Sequence, residues 1–562
     1  MDTQRLILVI ALSFISLLLW DAWQLDHSTA QPQQIPMSQQ AGQSEPLLPL
    51  IPQASQSVDG MPAVAVPEFT EGGQATPVAS SIGSEVGQMV QVETDLFNIM
   101  VSTEGGDLRR ADLLQHGKNT ENRDQPFRLL DDGAQFFIVQ SGIKGAQGTA
   151  KQRYPGHNSL YHVEQNHYLL GSEDSLRVPM VWDDEESGLT ITKTYIFHRN
   201  SYKIDLEYQI ENRGTDAWKG GIYAQLLRNE EVAEAESAFI YTYTGGVAYT
   251  QEEHYQKIDF DEIASSSLTR STPEGWVAMV QHYFLGAVIP HKGEQPTLYT
   301  YQPAQGRYAI GAILPAVSVE GNSSELLSIQ LYVGPKDQDQ LEQIAEGLGL
   351  TVDYGWLTFL AQPIFWVLKQ IQDVVGNWGF SIILLTMLIK LVFFKLSETS
   401  YRSMAQMRKL TPRLTSLKER YGDDRQKMNE AMMRIYREEK VNPMGGCLPI
   451  LVQIPVFIAL YWVLLESVEI RQSPFIFWID DLSAMDPYYI LPLLMGGSML
   501  IQQRLNPAPI DPIQQKVMMI LPIVFTVFFA FFPSGLVLYW VVNNLISISQ
   551  QYYITRKIEA AG

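Results

Sequence analysis

A single lysine interrupts the apolar run SIILLTMLIKLVFF at residues 381–394. A charge at bilayer depth costs roughly 2.5–3.5 kcal/mol on insertion scales, so Lys390 needs water, an anion or polar neighbours. Thr386 lies one turn earlier on the same helical face. Other apolar stretches add uncharged polar groups: Gln453, Asn543, Asn544 and Ser547. Asn543, Ser547 and Gln550 follow i, i+4, i+7 spacing, and Tyr539 precedes Asn543 by four. These groups can line one wet cavity with Lys390. An ammonium among neutral hydrogen-bonding groups holds an anion and breaks no bond. Two plainer readings compete. Lys390 stands five residues before Lys395 and can snorkel to headgroups, and the Asn and Ser side chains can serve as helix–helix glue.

Bond-making chemistry is poorly provided for in this half of the chain. All nine histidines lie at or before His291, which excludes Ser-His proteolysis and His-ligated metal there. The one cysteine, Cys447, allows no intramolecular disulfide. No nucleotide-binding glycine loop occurs, and no cofactor is expected.

The elements that must position Lys390 are helices. Six stretches are long and apolar enough for a bilayer, which takes about 20 residues: 5–24, 376–396, 446–466, 487–503, 516–532 and 535–553. Pro533, Ser534 and Gly535 mark a tight turn between the last two. Basic residues set orientation. Arg5 precedes the first stretch and Asp21 and Asp26 end it, whereas the 398–442 loop holds eleven Lys/Arg. The 467–486 loop holds only Arg471 against Glu469, Asp480, Asp481 and Asp486. Six spans with both termini inside satisfy every loop. The first stretch reads as an uncleaved anchor (1–26), because the poor cleavage site at Ser28–Ala30 follows Trp20-Asp21 and sits well past the apolar core.

The outer part is acidic. Residues 27–350 hold 20 Lys+Arg against 42 Asp+Glu, essentially the whole imbalance of a chain whose net charge is −21. That charge argues against DNA binding. Residues 27–90 are rich in Gln, Pro, Ser and Ala and read as a disordered tether. From 91 to 350, alternating stretches such as LTITKTYIFHR and YKIDLEYQIENR predict strands and a β-sandwich. His157, His162, His167 and His198 lie there without metal-ligand spacing and read as structural. Residues 351–375 read as an interfacial amphipathic helix anchored by Trp356 and Trp366.

Between the second span (376–397) and spans three to six (445–553) lies a basic segment, 398–444. Met407, Leu410, Leu414, Leu417 and Tyr421 repeat at 3,4 spacing, and Met428, Met432 and Ile435 continue it after Gly422-Asp423-Asp424. That pattern predicts an antiparallel helical hairpin. Its net charge of +4 suits a ribosome or anionic headgroups. Residues 554–562 form a cytoplasmic tail.

WGFSIILLTMLIK, EKVNPMGGCLPILVQIPVFIALYWVL, DLSAMDPYYILP and FFPSGLVLYWVVNNL resemble the YidC/Oxa/Alb family of membrane protein insertases, in its Gram-negative bacterial form. The resemblance implies a polytopic α-helical membrane protein of six transmembrane helices. Five of them form the insertase core, joined to a large periplasmic β-supersandwich similar to sugar mutarotases and a cytoplasmic helical hairpin. It implies a non-enzymatic insertase and chaperone of the inner membrane. Nascent membrane proteins, the Sec translocon with its accessory complex, membrane lipids, and ribosome or signal recognition particle components at the hairpin are the expected partners. It also implies a hydrophilic groove open to cytoplasm and lipid, whose basic residue is usually Arg. Here the groove set is Lys390, Thr386, Gln453, Tyr539, Trp540, Asn543 and Ser547, flanked by a greasy slide of Ile454, Pro455, Phe525, Phe528 and Phe529. A solute transporter or channel gated by Lys390, and a membrane-anchored carbohydrate-binding protein, are the rival readings.

Overall fold

A computed structural model describes residues 87–146, 152–230, 242–422, 424–439, 448–506 and 512–560. The first span, nearly all of the tether and Cys447 lie outside the described residues.

Residues from Met89 to Pro335 form two packed sheets, one of eleven strands and one of eight. Alternation explains the pairing. Along Lys203–Asn212 every second residue is buried, and this strand lies antiparallel between Leu189–His198 and Ser323–Pro335. The stretch 276–289 divides into two strands, Gly275–Val280 and Phe284–Ile289, paired antiparallel as a hairpin. In the larger sheet, Phe137–Gly145 pairs antiparallel with Trp218–Arg228, setting Gln140 opposite Gln225. The inner faces meet over a single apolar core that includes Ile99, Leu108, Ile191, Tyr208 and Leu331.

Ten helices complete the described residues: α1 Phe260–Ser265, α2 Gln338–Ile344, α3 Thr358–Val375, α4 Trp378–Val392, α5 Phe394–Tyr421, α6 Arg425–Glu438, α7 Leu448–Glu466, α8 Ile490–Leu505, α9 Pro512–Phe529 and α10 Ser534–Ala560. A left-handed Gly376 (φ 71°) ends α3, and the Asn377 side chain immediately caps α4 by accepting from the Phe380 N–H at 3.1 Å. A second apolar core links α3, α4, α7, α8 and α10 through residues such as Leu368, Leu385, Leu460, Met495 and Val542.

The second span was expected to be continuous over 376–396. Instead α4 and α5 meet at a 68° bend around Phe393. Neither Pro nor Gly is present to impose it. The bend carries α5 onto α10. Among the described residues no single helix is long and apolar enough to cross a membrane, although α4 and α5 satisfy length and composition as a bent pair.

The loop between α7 and α8 docks against the sandwich. Val468 is buried in the sandwich core. The Arg471 guanidinium lies over Phe127, Tyr283 and Phe284 and donates to the Gly117 and Lys118 carbonyls at 2.9 and 3.1 Å. Thr120 donates to Asp481 at 2.8 Å. On its other side the same loop accepts from Ser534, at the carbonyls of Asp481 and Ala484. This one loop therefore joins the sandwich to the turn that starts α10.

Candidate functional site: a buried lysine among neutral oxygens

Helix α4 presents Ser381, Thr386 and Lys390 to the interior, and all three are buried. Ser381 and Thr386 spend their hydroxyls on carbonyls of their own helix, Asn377 at 2.8 Å and Ile382 at 2.6 Å. Lys390 lacks that option, because its ammonium reaches well beyond its own backbone. Only 3% of the residue is exposed. Its Nζ donates to Ser547 Oγ at 2.8 Å and to Gln453 Oε1 at 3.4 Å. Three helices, α4, α7 and α10, thus converge on one ammonium.

Ser547 is oriented in turn, since its hydroxyl also bonds the Asn543 carbonyl at 2.7 Å. Among the described residues Lys390 forms no ion pair; both its partners are neutral. A buried cation held only by neutral oxygens retains much of its desolvation cost, and an incoming carboxylate can offset that cost.

The remaining groove residues divide. Asn543 is half-buried and contributes its carbonyl to Ser547. Tyr539 is buried and stacks on Phe457. Trp540 packs against Phe457 and Phe529, and its Nε1–H is buried with no acceptor among the described residues. Both rings therefore shape the apolar wall beside the polar cluster. Of the slide residues, Ile454 and Phe528 are exposed, at 44% and 41%, while Pro455 and Phe525 are half-buried. Phe529 differs from the other four. It is buried, because Phe525, Phe528, Phe532 and Trp540 all pack around it.

Asn544, one of the polar groups read above as cavity lining or helix–helix glue, belongs to a second polar seam between α8 and α10, whose partners the sequence did not indicate. There Asn544 donates to Ser498 at 3.0 Å, and Gln551 donates to the Leu505 carbonyl and to Asn506 Oδ1 at 3.2 and 3.0 Å. Asn544 and Gln551 are seven residues apart on one face, a spacing that could have revealed the seam as helix–helix glue.

In the sandwich the four histidines have separate partners. His157 bonds Tyr223, His162 sits in a β-bridge to Val181, His167 pairs with Glu93, and His198 pairs with Asp205.

Comparison with known proteins divides the chain in two within α3. Residues 89–367 match the model of the YidC periplasmic domain, and residues 370–561 match that of the 60Kd inner membrane protein family. A protein of Methylococcus capsulatus named membrane protein insertase YidC is 50% identical over 561 residues, covering 100% of this chain and 99% of its own. One of Nitrosococcus oceani with the same name is 49% identical, with 100% of both chains covered. Among solved structures, an active YidC insertase crystal structure with its first transmembrane domain resolved covers 84% of this chain and 93% of its own, at 18% identity and a TM-score of 0.36.

Proposed function

The chain belongs to the YidC family of membrane protein insertases, and we propose that it works through a polar groove centred on Lys390. It is an insertase and not an enzyme, and its family resides in the inner membrane with a domain in the periplasm. The observation that carries the groove reading is Lys390 itself, a buried ammonium with only Ser547 and Gln453 as partners among the described residues.

Energetics explain why no nucleotide is needed. A span of ~20 residues at about −0.5 kcal/mol per central Leu-like residue gains roughly 10 kcal/mol on entering lipid. The barrier is passage of the polar flank. A groove reaching partway shortens the path through low dielectric, and Lys390 transiently holds acidic residues of the substrate's outer tail. The apolar segment then moves along Ile454, Pro455, Phe525 and Phe528, with Phe529, Tyr539 and Trp540 as the packed wall behind them.

In this reading the chain crosses the membrane six times with both termini cytoplasmic. The α4–α5 pair forms the second crossing, α3 lies at the outer interface, and α5 and α6 form the cytoplasmic hairpin. Exposed basic residues there, such as Arg402 and Arg434, suit a ribosome or signal recognition particle. The sandwich faces the periplasm, where contact with the Sec translocon and its accessory complex belongs.

The test is reconstitution into liposomes without Sec or ATP, with insertion of a single-span, acidic-tailed substrate scored by protease protection. Lys390→Ala should impair insertion and Lys390→Arg should not. Equal activity of all three chains would remove the charge from the mechanism. Deleting residues 28–320 should leave insertion largely intact, and its loss would transfer the activity to the sandwich. A solute channel, in contrast, would show substrate-independent flux through the same liposomes.

A further inference from the structure

Six non-glycine residues adopt positive φ among the described residues, and three lie between 472 and 489: Gln472, Phe477 and Tyr489. The left-handed region is strained for residues carrying a Cβ, and such outliers persist only where the surroundings impose them. Gln472 has an evident use for its conformation, because its amide donates to the Gly117 carbonyl of the sandwich at 3.0 Å. Phe477 has none among the described residues. At φ 59° it stands 87% exposed, its only ring contact there being a loose stack on Trp478 beside it. A strained backbone that holds an apolar ring in water is unfavourable on both counts unless something covers the ring.

The loop is built to hold it there. Phe475 N–H donates to the Ile479 carbonyl at 2.9 Å, Ile479 N–H to Ile476 at 3.2 Å, and Leu482 N–H to Ser473 at 3.0 Å. The Trp478 indole donates to Asp486 at 3.0 Å. The tip is also fixed in height. Asn377, the cap of α4, donates to the Pro474 and Phe475 carbonyls at 3.3 and 3.4 Å. The Phe475 ring lies against Gly379, where any side chain would collide with it, and edge-on to Phe380 at 5.2 Å. Phe475, two residues before Phe477, therefore sits level with the first turn of the apolar helix that leads to Lys390. The tip Ser473–Trp478 carries no charge, and Phe and Trp are side chains that interfacial segments bury at the headgroup–acyl boundary.

We infer that the Pro474–Trp478 tip is a lipid anchor, with Phe477 seated at the headgroup–acyl boundary of the outer leaflet. It rests on the reading of α4 as part of a membrane span. Together with Asn377, the anchor fixes the depth of α4, and so of Lys390, relative to the bilayer.

The test uses the full chain in phospholipid vesicles, with Cys447→Ser and a single new cysteine carrying a fluorophore. Phe477→Cys is the probe; Leu384→Cys, exposed on α4, and Leu169→Cys, exposed on the sandwich, are the references. The label at 477 should be quenched by a nitroxide near the headgroup and lose its quenching by aqueous iodide. The label at 384 should respond to a deeper nitroxide, and that at 169 to iodide alone. A label at 477 that behaves like 169 while 384 responds to lipid overturns the anchor and leaves the span standing. If 384 also behaves like 169, the span reading fails and takes the anchor with it. On the unaltered chain, a photoactivatable phospholipid should cross-link the peptide carrying residues 474–478. Cross-links confined to α4, or capture by an inserting protein of a photoreactive group placed at 477, overturn the lipid assignment.

Discussion

Two buried lysines in this chain carry the same charge in opposite circumstances. Lys193, in the sandwich, has no exposed surface; Lys390, in the helical half, has almost none. Lys193 donates to the Gly105 and Ser141 carbonyls at 2.9 and 3.3 Å and lies over the rings of Tyr161, Tyr195 and Tyr208 at 5.3–5.7 Å. Burial pulls its ammonium below the ordinary lysine value, and the neighbouring Asp107 carboxylate pulls it partly back. Asp107 is buried as well and shared with Arg109 and Gln140. Lys390 has no ring cage and no carboxylate among the described residues. The first lysine is compensated from within and joins two sheets. The second is left short of a counter-charge, and a substrate carboxylate can supply it.

The sharpest way to break that contrast is Lys193→Met. Removing one member of a buried charged set leaves Asp107 undercompensated, at a cost of about 3–5 kcal/mol. Hydrogen exchange should show lost protection in Leu108–Gly117, Phe137–Gly145 and Leu189–His198, with insertion per folded molecule little changed. Lys390→Ala should do the reverse. A hydrogen bond to a charged group contributes roughly 1.5–3 kcal/mol, so insertion of an acidic-tailed substrate should fall at least about tenfold while protection of the helical core holds. Neutralising the substrate tail should then erase most of the difference between the unaltered chain and the Lys390→Ala variant. If Lys390→Ala instead unfolds the core, its role is structural, like that of Lys193.

A smaller effect concerns the junction between the two halves. Glu469 is partly exposed as a residue, yet its Oε2 is buried without a partner among the described residues. Burial pushes its carboxyl up to about 7, with Asp337 adding to the rise and Lys369 opposing it. A carboxyl raised on folding binds more protons folded than unfolded, so its contribution falls as pH rises from the ordinary carboxylate range to about 7. Limited proteolysis of the junction should therefore speed up across that window. Glu469→Gln should flatten the dependence and slow cleavage above about pH 7. An unchanged pH profile would remove Glu469 from the junction's energetics.

Much of this was legible in the sequence because it depends on local period and composition. The alternation in KIDLEYQIEN sets a half-buried strand whatever its neighbours. The turn at Pro533, Ser534 and Gly535 is written in residue type. Thr386 and Lys390 share a face because four residues make about one helical turn. Periodicity fixes which face a residue occupies, but not which helix will cover it. For that reason the sequence could place Phe529 on a greasy face without showing that four aromatic rings would bury it.

The chain alone thus determined an acidic β domain, a set of apolar helices and one lysine with polar company. The tertiary structure decided that Lys390 meets Ser547 and Gln453 and bypasses Thr386, whose hydroxyl its own helix takes. It also decided that α4 breaks at Phe393 and that Phe477 is held outward. Partners 63 and 157 residues away are chosen by how helices pack. Packing sums contacts over whole faces, and no short window of sequence contains that sum.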